Sequence, residues 1–255
     1  MVWVRSGRSG RTRVNDKSTM GVIAVALLLN GCAGIGPQKE KDAFADPRDP
    51  WERYNRDMFA FNESVDQTFL KPLARGYKKV MPELLDRGVT NFFTNLDDVT
   101  SIVSNLLQFK LRHAASDFGR VTLNSTVGLL GFFDVATNMN LPRHDEDFGQ
   151  AFGAWGIAPG PYLVLPVIGP SSARDGVGFI GDWLTNPTTY VEPASVSWGL
   201  RGVELIDLRA DLLGASRVLD QAALDRYEFV RDAYLQKRRY EVYDGNPPLE
   251  DDFPE

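Results

Sequence analysis

Apolar residues that recur every three or four positions are the feature of this sequence that most limits how it can fold. Because an α helix has 3.6 residues per turn, this spacing places the side chains on one helical face. Asp49-Pro50-Trp51-Glu52 looks like a helix start, with Asp49 as N-cap and Pro50 at the first helical position. Pro72 is expected to end or kink the helix. The first apolar series consists of Trp51, Tyr54, Met58, Phe61, Val65 and Phe69.

The same spacing returns in six later segments, so the sequence predicts a mainly α protein. Ser172 and Asp175 form a capping-box pattern before one of these segments. We expect a single helical domain over residues 49–243, followed by an acidic, disordered tail over residues 244–255. The later apolar series are Leu85, Val89, Phe92, Leu96; Val99, Val103, Leu106, Leu107; Ala114, Phe118, Val121; Val177, Ile180, Trp183, Leu184; Leu200, Val203, Ile206, Leu212, Leu213; and Leu224, Tyr227, Val230, Tyr234.

Two stretches interrupt the helical pattern. Residues 127–136 form an apolar run spaced by glycines, and residues 148–170 are dense in glycine, proline and aromatic residues. Within the second stretch, Tyr162-Leu163-Val164-Leu165 reads as a short strand between turns. The sequence therefore predicts a short β-hairpin-like, irregular Gly-Pro-rich segment inside the helical domain.

The N-terminal region has the pattern of a lipoprotein signal peptide. A basic segment precedes the apolar residues 21–29, and that run is too short to span a bilayer, which takes about 20 residues. Leu29-Asn30-Gly31-Cys32 resembles the bacterial lipobox and contains the only cysteine of the chain. An ordinary signal peptide with an accidental cysteine is the alternative. We expect a signal peptide over residues 1–31, a lipid anchor on Cys32 and a flexible tether over residues 32–48.

Several motifs of the mature region resemble the VacJ/MlaA lipoprotein family, and they occur in order over roughly residues 47–240. The longest combines Trp155-Gly156, Gly160-Pro161-Tyr162, Leu165-Pro166, Gly169-Pro170-Ser171 and Arg174-Asp175. The other matching elements are Asp49-Pro50-Trp51-Glu52-Arg53-Tyr54-Asn55-Arg56, Met58-Phe59-Ala60-Phe61-Asn62, Asn91-Phe92, Asn95-Leu96, Arg120, Asn124, Gly131-Phe132-Phe133-Asp134-Val135-Ala136, Asp147-Phe148-Gly149 and Arg231-Asp232-Ala233-Tyr234-Leu235-Gln236.

The resemblance implies a helical ring embedded in the inner leaflet of the outer membrane of a Gram-negative bacterium, with an amphipathic channel through it. Such a protein sits beside trimeric porins and takes mislocalised phospholipids from the outer leaflet. It passes them to a periplasmic lipid carrier, which maintains outer-membrane lipid asymmetry. The family is not enzymatic and implies no cofactor. Ala33, directly after the cysteine, favours export to the outer membrane.

Three polar residues of the first helix are candidate channel or gate residues. Arg56 and Asn62 fall outside the apolar stripe, and Asn55 flanks it. They either face a polar channel wall, or the asparagine amides hold neighbouring loops. A solvated helix face or internal capping is the alternative.

The Gly-Pro-rich loop supplies the other channel or gate candidates. Arg174 is placed for a phosphate with Asp175 as its partner. Alternatively, Asp175 only caps a helix and Arg174 pairs locally. The remaining candidates of this loop are Gly160, Pro161, Tyr162, Pro166, Gly169 and Pro170.

Aromatic pairs are candidates for contact with the membrane. Adjacent aromatic residues widen the apolar face of a helix, because neighbours lie about 100° apart. An ordinary thick core helix explains the same pattern. The residues concerned are Phe92, Phe93, Phe132 and Phe133.

Charge and motif content argue against several other classes of protein. The formal net charge is −6, and removal of the basic residues 1–31 makes the remainder more acidic, which disfavours nucleic-acid binding. No nucleophile elbow or zinc-protease motif is present, and adjacent residues such as His144–Asp147 do not converge on a metal. A structural envelope lipoprotein remains the alternative function. A hydrolase would need a nucleophile, for which Ser171 or Ser172 would be the first candidates.

Overall fold

The computed structural model describes residues 46–248, without the side chains of residues 218 and 220–222. Cys32, the signal peptide, most of the expected tether and residues 249–255 lie outside this range. The described chain is mainly helical, as predicted, with one two-stranded sheet. The helices are α1 (Glu52–Val65), α2 (Lys71–Val80), α3 (Glu83–Leu107), α4 (Leu111–Thr126), α5 (Val135–Asn138), α6 (Phe148–Ala154), α7 (Ala173–Thr185), α8 (Ala194–Asp211), α9 (Leu213–Ala222) and α10 (Arg226–Val242).

The start of α1 differs from the prediction. Asp49 does not cap the helix, because the N-cap position belongs to Trp51, whose side chain makes no capping hydrogen bond. The buried Asp49 carboxylate instead accepts hydrogen bonds from Asn55 and Tyr227. Asp49 therefore forms tertiary hydrogen bonds, although the local sequence pattern predicts it as a helix cap.

Pro72 does not end the first helical segment. A π-helical turn, Asp66–Leu70, joins α1 to α2, and Pro72 lies in the first turn of α2. Proline cannot donate an intrahelical bond, and the Lys71 amide donates to Asp66 in the wider π pattern. The irregularity precedes the proline rather than following it.

Helix α3 joins two segments that the sequence pattern showed as separate apolar series. No proline or glycine lies between Leu96 and Val99, so nothing interrupts the helix. The opposite happens later, where the series from Leu200 to Leu213 is divided at Leu212 into α8 and α9. The end of one helix and the start of the next cannot be separated by apolar spacing alone.

The predicted strand Tyr162–Leu165 (β1) pairs antiparallel with Gly169–Ser172 (β2). Ser172 ends β2 and caps α7, because its Oγ accepts the amide of Asp175 at 3.1 Å, as the capping-box pattern predicted. In the turn, Val167 has a φ of 67°, in the left-handed region that β-branched residues avoid. The hairpin thus runs directly into a helix that its last residue initiates.

The interior of the described domain is unusually polar. Fully buried apolar side chains are few and include Tyr162, Val164 and Tyr227, which pack together. Many large apolar side chains, such as those along the outer side of α7, are exposed. Within residues 46–248, no helix is long and apolar enough to cross a membrane.

Candidate functional site

The β-hairpin is attached to α1 by two asparagine side chains. Asn55 is fully buried, and its amide donates to the carbonyl oxygen of Tyr162 at 3.1 Å and accepts the Val164 amide at 2.9 Å. It also donates to Asp49 at 2.7 Å. The polar side chain therefore takes the place of a neighbouring strand for β1, which supports the interpretation that asparagine amides hold the loop.

Asn62 makes the same kind of contact two helical turns later. Its amide donates to the carbonyl oxygen of Leu165 at 2.9 Å and accepts the Val167 amide at 2.7 Å. These bonds hold the hairpin turn, including the left-handed residue Val167. The spacing of seven residues between the two asparagines matches two turns of helix, so one face of α1 follows the hairpin.

Arg56 lies beside this contact and joins α1 to the start of α10. Its guanidinium pairs with Glu52, Asp225 and Glu228 at 2.7–2.9 Å, and its centre lies 4.5 Å from the ring centroid of Tyr227. Burial and then the hydrogen bond to Asp49 raise the pKa of Tyr227 above its ordinary value. Arg56 is thus fully engaged in ion pairs.

Arg174 and Asp175 belong to a network that connects α6, α7 and α10. Arg174 Nε donates to Asp175 Oδ1 at 2.9 Å, as the local-pairing alternative anticipated. Arg238 bonds both Asp175 and Asp147, and Tyr234 donates to Asp175 at 2.6 Å. Burial alone would raise the pKa of Asp175, but the bonds and charge of Arg238 lower it to about 2. The carboxylate is therefore held ionised.

This network borders a cavity of about 840 Å³ between α10 and the loop before β1. Gly160, Arg174 and Asp175 line it, together with Arg48 and Tyr243 from the two ends of the described chain. Pro161, Tyr162, Pro166, Gly169 and Pro170 are not among its lining residues. The structure therefore brings three of the predicted loop candidates to one cavity and assigns the others to the hairpin.

A second cavity, of about 290 Å³, is lined by six acidic residues, of which Asp97, Asp182 and Glu204 were not identified from the sequence. Burial, and then repulsion from Glu204, raise the pKa of Asp97 to about 7. Burial likewise raises the pKa of Asp182 to about 7, against a hydrogen bond from the Phe148 amide. The pKa of Glu204 is also raised by burial. The acidic residues that line this cavity are Asp97, Asp145, Glu146, Asp147, Asp182 and Glu204.

A third cavity, of about 400 Å³, adjoins the acidic one, because Trp183 and Arg201 line both. Its other walls include the exposed rings of Tyr190 and Trp198. The Arg201 guanidinium lies 5.9 Å from the Trp183 ring centroid and donates to Thr189 Oγ1 at 2.6 Å. A cation on α8 thus stands between an aromatic and an acidic cavity.

The four aromatic candidates for membrane contact have different surroundings. Phe93 is only 5% exposed, so its assignment to a membrane-facing surface is wrong for the described domain: the wide face of α3 packs inward at this point. Phe92 and Phe132 are half-buried, and the Phe132 ring occupies the space where any side chain at Gly88 would stand. Phe133 is exposed. Phe92 and Phe93 lie on α3, whereas Phe132 and Phe133 lie in the turn before α5.

The buried polar face of α3 could have been anticipated from a second periodicity. Asn95, Asp98, Ser101 and Asn105 recur at intervals of three and four between the apolar residues of α3, and all four are buried. A polar stripe beside an apolar stripe indicates a helix with two contact surfaces. Arg238 carried no such signal, because its partners Asp147 and Asp175 are distant in sequence.

The residues considered for metal binding or as nucleophiles have other partners within residues 46–248. No group of three or more His, Cys, Asp or Glu residues in this range could hold a metal ion. His144 Nδ1 lies 3.0 Å from Asp117, whereas Glu146 pairs with Lys110 and Asp147 with Arg238. The Ser172 hydroxyl caps α7, and that of Ser171 donates to a neighbouring carbonyl.

Comparison with known proteins gives consistent matches. The family model described as MlaA lipoprotein matches residues 47–241. The intermembrane phospholipid transport system lipoprotein MlaA of Haemophilus influenzae (strain Rd) is 30% identical over 91% of this chain and 93% of its own. The protein of the same name from Escherichia coli (strain K12) is 34% identical over 84% of each chain.

A solved structure shares the fold as well as the sequence pattern. It comes from work on the structural basis for maintenance of bacterial outer membrane lipid asymmetry. The two structures match with a TM-score of 0.67 and 34% identity, over 76% of this chain and 98% of the solved chain.

Proposed function

Because this chain belongs to the MlaA lipoprotein family, we propose that it is the outer-membrane lipoprotein of an intermembrane phospholipid transport system. It removes mislocalised phospholipids from the outer leaflet through an amphipathic channel and maintains lipid asymmetry. It acts by binding and passage rather than by covalent chemistry. The acyl groups on Cys32 anchor it to the periplasmic side of the outer membrane.

The observation that carries this proposal is the inverted distribution of side chains. Buried side chains are largely polar, whereas Val177, Ile180 and Leu184 form an exposed apolar stripe on α7. Water would penalise such a surface, but the hydrocarbon interior of one leaflet would stabilise it. In this proposal, the polar cavities accommodate lipid headgroups during passage, and they are unfavourable surroundings for the apolar lipid tails.

The hairpin is the candidate gate in this proposal. It lies between α1, which holds it through Asn55 and Asn62, and the network of Arg174, Asp175 and Arg238. A four-residue strand pair is marginally stable alone, so its position depends on these side-chain bonds. Trimeric porins and a soluble periplasmic carrier are the protein partners that the family resemblance implies.

An outer-leaflet phospholipid assay tests the function. We expect a deletion strain to accumulate phospholipid in the outer leaflet, and wild-type protein to reverse this. A normal outer leaflet in the deletion strain would contradict the proposal and favour a structural envelope lipoprotein. Crosslinkers on the protein surface that capture no porin would contradict the proposed partner alone.

A further inference from the structure

The two cavities that share Trp183 and Arg201 contain charged groups without charged partners. Arg201 forms no ion pair with any described residue, and its side-chain hydrogen bond to Thr189 uses one of its five donors. Arg56, Arg174 and Arg238, by contrast, are each paired with a carboxylate. An unpaired guanidinium in a cavity favours an anion from outside the protein, and phosphate matches its planar donors.

The acidic cavity has the converse imbalance. Asp97 accepts a hydrogen bond from the side-chain amide of Asn186 at 2.9 Å, and Asp182 accepts one from the backbone amide of Phe148 at 2.9 Å. Neither carboxylate forms an ion pair with a described residue. Glu204 makes neither an ion pair nor a hydrogen bond within the described part of the chain. Three carboxylates without an ion-pair partner favour a cationic group near them.

These two imbalances lie one helical turn apart. Arg201 and Glu204 are three residues apart on α8, so their side chains project from the same face of the helix. Burial raises the pKa of Glu204 and the positive charge of Arg201 opposes that increase, yet the two side chains form no ion pair. The arrangement leaves a positive and a negative position side by side in the space formed by two adjoining cavities.

We propose that this space is a headgroup subsite for zwitterionic phospholipids that carry a phosphate and an ammonium group. Arg201 binds the phosphate, and Glu204 binds the ammonium, with Asp97 and Asp182 lining the same cavity. Trp183, Tyr190 and Trp198 contact the glycerol and the upper acyl chains, since amphipathic rings suit the boundary between polar and apolar groups. The inference rests on the proposed function and adds a headgroup preference to it.

The charge of the subsite predicts discrimination against anionic lipids. Phosphatidylethanolamine offers one charge of each sign to complementary groups. Phosphatidylglycerol offers the phosphate but places an uncharged glycerol beside the carboxylates, which repel its negative charge. The difference between the two lipids therefore depends on the carboxylates, whereas binding of either lipid depends on Arg201.

The test measures binding of fluorescent phosphatidylethanolamine and phosphatidylglycerol to the purified full-length protein in a neutral detergent. We expect wild type to bind phosphatidylethanolamine about tenfold more tightly, a difference of about 1.4 kcal/mol. Arg201→Gln should weaken both lipids about tenfold. Glu204→Gln should weaken phosphatidylethanolamine and strengthen phosphatidylglycerol, which brings the ratio close to one.

Matched controls come from the exposed Glu83–Arg87 pair on α3. Glu83→Gln and Arg87→Gln change the same charges and should leave both affinities at the wild-type level. Arg201→Lys keeps the charge but loses the planar fork, and should bind both lipids with intermediate affinity. Circular dichroism and thermal melting identify any variant that has lost its fold.

Equal wild-type affinity for the two lipids would overturn the inference, as would folded Arg201→Gln and Glu204→Gln variants that bind like wild type. Displacement of the lipids by millimolar inorganic phosphate would also overturn it, because a simple phosphate site needs no ammonium. Neither result would affect the proposed transport function, which the outer-leaflet assay decides.

Discussion

In this protein, individual asparagine side chains form hydrogen bonds to a β strand that the backbone of a neighbouring strand usually forms. Asn55 serves one hydrogen-bond acceptor and one donor of β1 and also contacts Asp49, all in a fully buried position. A primary amide donates and accepts in the same plane, as a peptide group does.

Asn55→Ala should therefore be severely destabilising. The substitution leaves the Val164 amide and the Tyr162 carbonyl with lost partners in a buried site, which we expect to cost about 2–4 kcal/mol. Chemical unfolding in detergent measures the loss. Asn138→Ala removes an exposed asparagine with a local bond and serves as the control. Equal losses for the two variants would contradict the role given to Asn55.

Asp97 should make stability depend on pH. Its pKa is raised to about 7 in the fold, so the folded state binds the proton more tightly than the unfolded chain does, and stability falls as pH rises from about 4 to about 7. Asp97→Asn removes this loss while an amide oxygen remains to accept from Asn186. We expect a higher Tm than wild type at pH 8, by about 3–6 °C.

The same comparison at pH 5 provides the internal control for Asp97→Asn. Wild-type Asp97 is largely protonated there in the folded state, so the gain in Tm should shrink. A gain of the same size at both pH values would show that the effect does not come from the carboxylate charge.

At the scale of elements, α3 and α4 are joined by a buried charge network rather than by an apolar seam. Arg120 on α4 is 2% exposed and contacts Asp98 at 3.3 Å and Asp134 at 3.2 Å. Arg143 holds the other oxygen of Asp98 at 2.8 Å. Removal of one partner from such a network leaves buried charge without compensation.

Arg120→Ala should cost about 3–5 kcal/mol of unfolding free energy, because Asp98 is fully buried and keeps only Arg143. Arg87→Ala, on the exposed side of α3, should cost no more than about 0.5 kcal/mol. The two melting curves are compared directly. A small loss for Arg120→Ala would mean that water or a rearranged Arg143 replaces the guanidinium.

The hairpin turn should respond to Asn62 without a large change in global stability. Asn62→Ala removes the acceptor for the Val167 amide, and the loss of about 1 kcal/mol should speed hydrogen exchange at that amide about fivefold. Ser64→Ala, on an exposed part of the same helix, is the control. Unchanged exchange at Val167 in Asn62→Ala would show that the turn is held by other contacts.

Elements were easier to predict from this sequence than the contacts between them. Apolar spacing and the Ser172 cap indicated α4, α7, α10 and the β1 strand, because these signals are local. The role of Asn55 and the π turn before Pro72 depend on residues far along the chain or on backbone adjustment. The acidic cavity needs α3, α7 and α8 together, so no single segment carries its signature.

For the whole molecule, polar side chains outnumber apolar ones among the fully buried residues that the structure describes, and large apolar side chains are exposed on several helices. This distribution suits a domain whose outer surface contacts lipid tails. Under the proposed function, the acyl groups expected on Cys32 direct the domain to the membrane more than they hold it there.

Cys32→Ala should separate these two roles. We expect the variant to be mistargeted and to fail in the outer-leaflet assay, but the purified variant should still partition into the detergent-rich phase of a Triton X-114 separation. A correctly placed and functional Cys32→Ala protein would contradict the anchor. Partition into the aqueous phase would contradict lipid contact by the domain surface.

The polar interior has a thermodynamic consequence. Exposure of apolar surface on unfolding raises heat capacity, and exposure of polar surface lowers it. Unfolding of this domain in detergent transfers largely polar side chains from protein to water, while its apolar outer surface is already in contact with detergent. The heat-capacity increment of unfolding should fall well below the usual value for a chain of this length. The curve of stability against temperature should accordingly be broad and flat, with little weakening in the cold.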